Sequence, residues 1–346
     1  MTPKPPLSLS SHSGPKAKFG RRPFLTYLAR SLAGSFVWAS AVKAQSVDVY
    51  PSRPIRIIVS FAPGSATDTV ARVFGQKIST FLGQSVVVEN RPGAVGIIGA
   101  DAVAKAPADG YTLLVGTNTT NAAVRALVKN VPYDPEKDFT PISFLGVLPQ
   151  VLLVNPDRPF KTIGDMLGRA REKPNSLTYS WTSSVTRVSV ELLASMSKVS
   201  FVNVPYKTGG AAITDLISGQ VDFTIVDTIV ALPQIKAGKL RALAVASPSR
   251  IAQLPEVPTI AEAANLPGYE MMGIFAAFGP ANLSPNVVAK LNQAIRMASE
   301  DSDLKRTFTN MGLDVQTSTP EQLRTRFQQE AVKWTSTASG AGIVPE

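Results

Sequence analysis

The sequence predicts an α/β protein of two lobes, with mostly parallel sheets, helices on both faces and a cleft between the lobes. Three observations carry this. Short β-branched runs alternate with helical patterns along the chain, which is the signature of strand-helix-strand units. The apolar stretch 142–154 is long enough to pass from one lobe to the other, and 271–279 reads as a strand returning to the first. The 346 residues exceed what one average domain needs.

Each element has a local cause. The run 55–61 (IRIIVSF) is a buried strand. A helix follows from near Thr67, with Val70, Phe74, Ile78 and Phe81 on one face and Gly83 at its C-terminal cap. Strands at 86–88 and 113–116 flank a small-residue helix at 93–106. The pattern repeats with strands at 177–180, 201–205, 223–226 and 240–246. The helices between them are 186–196, 211–218 and 230–237, with one more after Thr162. Ser284-Pro285 is a cap followed by a first-turn proline, and Val288, Leu291, Ile295 and Ala298 continue one face. Thr319-Pro320-Glu321-Gln322 is a capping box ahead of Leu323, Phe327 and Trp334. The lobes are expected at 45–145 plus 273–346, and at 146–272, with two chain crossings as a hinge.

The first 44 residues belong to targeting. They carry seven basic residues, no acid and an apolar run over 31–42, then Val42-Lys43-Ala44 as a cleavage site. This is a signal-peptide layout, too short to span a bilayer. Arg21-Arg22 resembles a twin-arginine export motif or is an ordinary basic n-region. Without this segment the charge of +10 falls by seven to +3, so basicity is no argument for nucleic-acid binding. The only histidine, His12, leaves with it, and cysteine is absent. The remainder has no Ser-His-Asp triad, Cys-His pair, histidine-ligated metal site or disulfide. Carboxylate or lysine catalysis, such as Asp or Lys chemistry on a small acid, is what remains for an enzyme; a binder without catalytic residues, cofactor or metal fits better.

Candidate site residues lie at strand-to-helix joints. Pro63, Gly64, Ser65, Ala66, Thr67 and Asp68 offer small residues and backbone N–H groups at a helix start, which is either a carboxylate cradle or a tight turn capped by Thr67. Asp68 repels a carboxylate placed close to it; it complements the helix start or meets a donor on the ligand. Gly93-x-x-Gly96-x-x-Gly99 departs from the dinucleotide spacing and reads as close helix packing. Thr117 and Asn118 end a strand and line either a polar cleft or a solvated loop. Thr182, Ser183, Ser184 and Thr186 form the equivalent loop of the second lobe. Asp227 either accepts from a ligand donor or caps the next helix. Tyr206, like Trp181 and Tyr179, stacks on a ligand or packs in the core.

Several segments together carry a resemblance: YPSRPIRIIVSFAPGSATD (50–68), LGQSVVVENRPGAVGIIGADAVAKAPADGYTLLVGT (82–117), VPYDPEKDF (131–139), VPYKTGGAAITDLISGQVDF (204–223), ALPQIKAGKLRALAV (231–245) and LPEVPTIAEA (254–263). In this order they resemble the Bug-type periplasmic solute-binding proteins of tripartite tricarboxylate transporters. The resemblance implies a Venus-flytrap, type II-like periplasmic binding protein fold. It implies a small carboxylate (a di- or tricarboxylate or an aromatic acid) held by Phe61, Ala62 and the loop through Asp68, by Thr117 and Asn118, and by Asp227. It implies a periplasmic monomer that delivers its ligand to membrane permease subunits, or presents it to a sensor kinase. The chain departs from the family pattern at Ser65-Ala66, in the short loop after Tyr179, and at Asp227-Thr228; all three fall at the expected ligand.

Overall fold

A computed structural model describes residues 50–345; the expected signal peptide lies outside them. In chain order the strands are β1 Ile55–Val59, β2 Val86–Asn90, β3 Thr112–Thr117, β4 Phe139–Val154, β5 Thr178–Trp181, β6 Val202–Pro205, β7 Phe223–Asp227, β8 Arg241–Val245, β9 Met272–Pro280 and β10 Asp314–Val315. The helices are α1 Ala66–Leu82, α2 Ile97–Ala104, α3 Val124–Leu127, α4 Ile163–Glu172, α5 Ser184–Ser197, α6 Gly209–Ile217, α7 Thr228–Lys236, α8 Ile260–Ala263, α9 Pro285–Glu300, α10 Ser302–Met311 and α11 Pro320–Gly340. A π-helical turn, Thr119–Ala123, runs directly into α3.

The organising element is β4. This 16-residue strand pairs with β9 from Phe139 to Pro149, then with β7 and β8 from Gln150 to Val154. One strand therefore belongs to two sheet halves. The first half runs β2-β1-β3-β9-β4 and the second β4-β7-β5-β6. The outer pairs β1–β2, β1–β3, β5–β6 and β5–β7 are parallel. All pairs made by β4 and β9 are antiparallel, so the sheet is mixed rather than mostly parallel. The cause is connectivity. A parallel partner needs a crossover helix, and the strands that carry the chain between halves simply run past each other.

Both faces are covered, as period-2 alternation requires. Ile57 and Val59 of β1 pack with Val70 and Phe74 of α1, Leu291 and Ile295 of α9, and Phe308 of α10. Ile58 faces the opposite cluster, with Val103 of α2 and Leu323, Phe327 and Trp334 of α11. Each such side chain contributes about 1.5–3 kcal/mol when fully buried. The caps are those the sequence announces. Ser284 accepts from Val287 N, with Pro285 at the first helical position, and Thr319 and Gln322 close a reciprocal box. The C-terminal helix touches both halves: α11 packs on the 119–123 turn and on α5, and Ser195 Oγ donates to the Gly340 carbonyl at 2.8 Å.

Candidate functional site

Strands end and helices begin on the facing edges of the two halves. Between them lies a cleft of about 330 Å³. Phe61, Ala62, Pro63, Gly64, Ser65, Ala66 and Thr67 line it from one side, with Thr117 and Asn118. Thr182, Ser183, Thr186 and Asp227 line it from the other. The structure thus brings most of the sequence-derived candidates to one place.

Four helix starts open on this space. Ser65, Ser183, Thr208 and Asp227 are the N-cap positions of α1, α5, α6 and α7, and all four line the cleft. The first turn of each helix presents N–H groups without intrahelical partners and a partial positive charge. Ser65 Oγ accepts from Asp68 N at 3.2 Å, so the cap of α1 is Ser65 and not Thr67. Ser183 and Thr186 cap each other reciprocally. Thr208 Oγ1 accepts from Ala211 N at 3.3 Å. These oxygens are spent on their own helices, and the remaining amides are what the cleft offers an anion.

Asp68 does not line the cleft. It is 4% exposed and turned into its own loop. One oxygen accepts from Gly64 N (3.0 Å) and Arg72 Nε (3.1 Å); the other accepts from Asn90 Nδ2 (2.9 Å). The same Asn90 amide donates to the Phe61 carbonyl at 3.0 Å. Burial pushes this carboxyl up, but the bonds from Arg72, Gly64 and Asn90 outweigh it and hold it below its ordinary value. Asp68 therefore fixes the loop from Phe61 to Gly64. Gly64 sits at φ +78°, a conformation that favours glycine, and leaves its flank open. From behind, Gly99 fixes the loop: a Cβ there would come within 2.8 Å of Ser60 Cα and 3.0 Å of the Arg91 carbonyl. Close packing is thus the role of Gly99, while Gly93 and Gly96 hold positive φ of +137° and +94°.

Two other candidates turn away. Ser184 is buried in the first turn of α5, where the chain has already entered the helix. Tyr206 donates to Asp215 Oδ2 at 2.6 Å; that bond, with burial, pushes its hydroxyl up to about 12. Trp181 is likewise absent from the lining and packs on the core, with the Arg187 guanidinium 5.4 Å from its ring centre.

Residues the sequence reading missed complete the wall. Lys207 and Thr208 join β6 to α6, Gly209 and Gly210 open α6, and Gly273, Ile274 and Phe275 come from β9. Lys207 is the only lysine or arginine in the lining and Asp227 the only acid. Asn118 donates to the Met272 carbonyl at 2.9 Å, fastening the first half's polar loop to the crossing strand. A signal for this joint was present: a cap residue shortly after a strand, as at Ser183. No motif marks Gly273–Phe275, which reach the cleft only through strand pairing.

Asp227 carries the largest perturbation. Burial raises its carboxyl from 3.8 to about 6, eased by the facing amide of Gln150, its cross-strand partner. Gln150 Nε2 is the donor that faces this carboxyl, although the pair falls short of full hydrogen-bond geometry. The folded state binds this proton more tightly than the unfolded chain does. The favourable contribution is complete below pH 3.8 and is lost as pH rises towards about 6. Asp227→Asn is expected to raise stability at pH 7.5 by about 1–3 kcal/mol. The gain should shrink between about pH 6 and 4 and vanish below, as followed by urea unfolding across pH.

With the geometry in place, comparison with known proteins decides the family. The sequence matches the profile of the tripartite tricarboxylate transporter family receptor over residues 70–339. The chain belongs to this tripartite tricarboxylate transporter receptor family. A relative from Pseudomonas sp. (strain P51), the UPF0065 protein in the tcbD-tcbE intergenic region, is 39% identical over 321 residues, covering 92% of this chain and 94% of that one. Among solved receptor-family folds, R. palustris Rpa4515 with adipate superposes with a TM-score of 0.83 at 33% identity, covering 86% of this chain and 100% of that one. MatC (Rpa3494) from Rhodopseudomonas palustris with bound malate gives 0.79 at 34% identity, with 83% and 99% covered. The family is one of periplasmic solute-binding proteins, and its two-lobed fold is that of this chain. Among the described residues no helix is long and apolar enough to cross a membrane.

Proposed function

We propose that this protein is a periplasmic solute receptor that captures a small carboxylate between its two halves and hands it to membrane permease subunits of a tripartite tricarboxylate transporter. One observation carries the reading: helix starts from both sides open on one cleft whose lining holds a single acid. A carboxylate there receives backbone N–H bonds from α1 on one side and from α5 and α6 on the other. Bonds to an ionised group contribute about 1.5–3 kcal/mol each. A few of them, after the cost of association, correspond to roughly micromolar affinity. Capture by closure follows, because a ligand that touches both halves binds the closed form better than the open one. The adipate and malate held by the two related structures are of this chemical class.

A thermal-shift screen of the purified protein against C3–C8 mono- and dicarboxylates tests this. A binding acid at about a thousand times its Kd stabilises by about 4 kcal/mol, a Tm rise of roughly 5 °C or more in a chain of this size. No response to any acid, or equal responses to the methyl esters, overturns the proposal.

A further inference from the structure

Asp227 is the anomaly in an otherwise anion-friendly cleft. Three of the four N-cap residues there use their side-chain oxygens on their own helices, and Asp227 alone makes no cap hydrogen bond. Its carboxylate thus remains available at the start of α7. Opposite it, on β9, is Gly273, which has no side chain to cover it: a Cβ there would lie 3.2 Å from Asp227 Oδ1. From β4 the neighbour is the neutral Gln150. The other charged side chain of the lining, Lys207, comes from the β6–α6 turn.

When the cleft closes on it, an uncapped, partly buried carboxylate whose neighbour is the neutral Gln150 amide gains a donor from the ligand or takes up a proton, because burying a poorly partnered charge is costly. A plain alkyl acid supplies no donor. A hydroxyl or ammonium beside the ligand's own carboxylate does, and its carboxylate still reaches the helix starts. We propose that Asp227 makes this site selective for acids bearing a hydrogen-bond donor, hydroxy acids or amino acids, over their unsubstituted counterparts. The inference rests on the carboxylate-capture reading. It goes further by naming the second functional group of the ligand. The raised affinity of Asp227 for its proton supports it: an unsubstituted acid binds with Asp227 protonated, and so binds less well as pH rises above about 6.

Calorimetric titration of the purified protein with matched trios tests the idea. The trios are propionate, lactate and alanine; succinate, malate and aspartate; phenylacetate, mandelate and phenylglycine. At pH 7.5, in the trio that fits, at least one donor-bearing member is expected to bind at least about tenfold more tightly than the unsubstituted acid. Asp227→Ala should abolish that preference, read as the ratio of the Kd values within the trio. Asp227→Asn, which keeps an acceptor but not the charge, should retain hydroxy acids and lose amino acids. If the wild type binds all members of the fitting trio equally, or if Asp227→Ala leaves the preference intact, the inference falls and carboxylate capture stands. If no acid of the trios or of the C3–C8 screen binds, carboxylate capture itself falls, and this inference with it.

Discussion

Replacing Ser183 by aspartate is expected to lower carboxylate affinity by about 100-fold while leaving the fold intact. Ser183 is the N-cap of α5, its Oγ accepting from Thr186 N at 3.3 Å, and it lines the cleft. Aspartate caps a helix as well as serine does, and a negative charge at a helix start is favourable to the helix. Thermal stability should therefore change little. The ligand meets a full negative charge where it had met a neutral hydroxyl. Two like charges about 5 Å apart, at an effective dielectric of about 20, repel by about 3 kcal/mol, which is about two decades in Kd. Ser183→Asn has the same shape and capping ability without the charge and should stay within about threefold of wild type. Calorimetry with whichever acid the screen identifies, beside a Tm for each variant, checks both. Unchanged affinity in Ser183→Asp removes the start of α5 from the anion site.

Asp68→Ala is the second large effect, with the reverse signature: stability falls first and binding follows. Its carboxylate is the common acceptor for Gly64 N, Arg72 and Asn90 Nδ2. Removing it leaves the Gly64 amide without that partner and frees the half-exposed Arg72 to return to water. Breaking a buried, charge-assisted network of this kind costs about 2–4 kcal/mol. The loop from Phe61 to Ser65 then has to be ordered by the ligand, at about 1–2 kcal/mol for each backbone residue fixed, so affinity should fall at least about tenfold. The pH response gives a separate check. The Asp68 carboxyl is held below 3.8, so its contribution is present above that value and disappears as pH falls through its lowered folded value. The wild type should lose stability on acidification in that range, and Asp68→Ala should lose less. Equal acid sensitivity of the two in urea unfolding would show that the network does not hold the loop.

The sequence made the frame legible because the frame is set by local rules. The apolar stretch over 142–154 is long enough to pass from one lobe to the other, and it became the strand shared by both halves. Caps such as Ser284 and the Thr319–Gln322 box declare helix starts with no tertiary help. The cleft-lining loop from Phe61 to Thr67 was legible for the same reason, being small residues at a strand-to-helix joint.

What was not legible depends on partners far away in sequence. Nothing next to Asp68 reveals that Asn90, on another strand, draws its carboxylate away from the cleft. Tyr206 turns to Asp215 on the following helix, and the choice between that bond and a ligand is one of packing. Gly273 to Phe275 read simply as strand; their place in the cleft is a consequence of the register of β9 against β4. The mixed sheet was missed because repeating strand-helix units speak only of parallel neighbours. The antiparallel pairs come from the crossing strands, which have no helix to announce them.

The claim on which everything else depends is that one anion is gripped by helix starts of both halves at once. Amide chemical-shift mapping by NMR, on titration of the stabilising acid, reads this directly. The account predicts that Gly64 and Ser65 on one side, and Ser184, Gly209 and Gly210 on the other, shift together along a single binding curve. Shifts confined to one half, or centred on the groove between α9 and the start of α11, would contradict it.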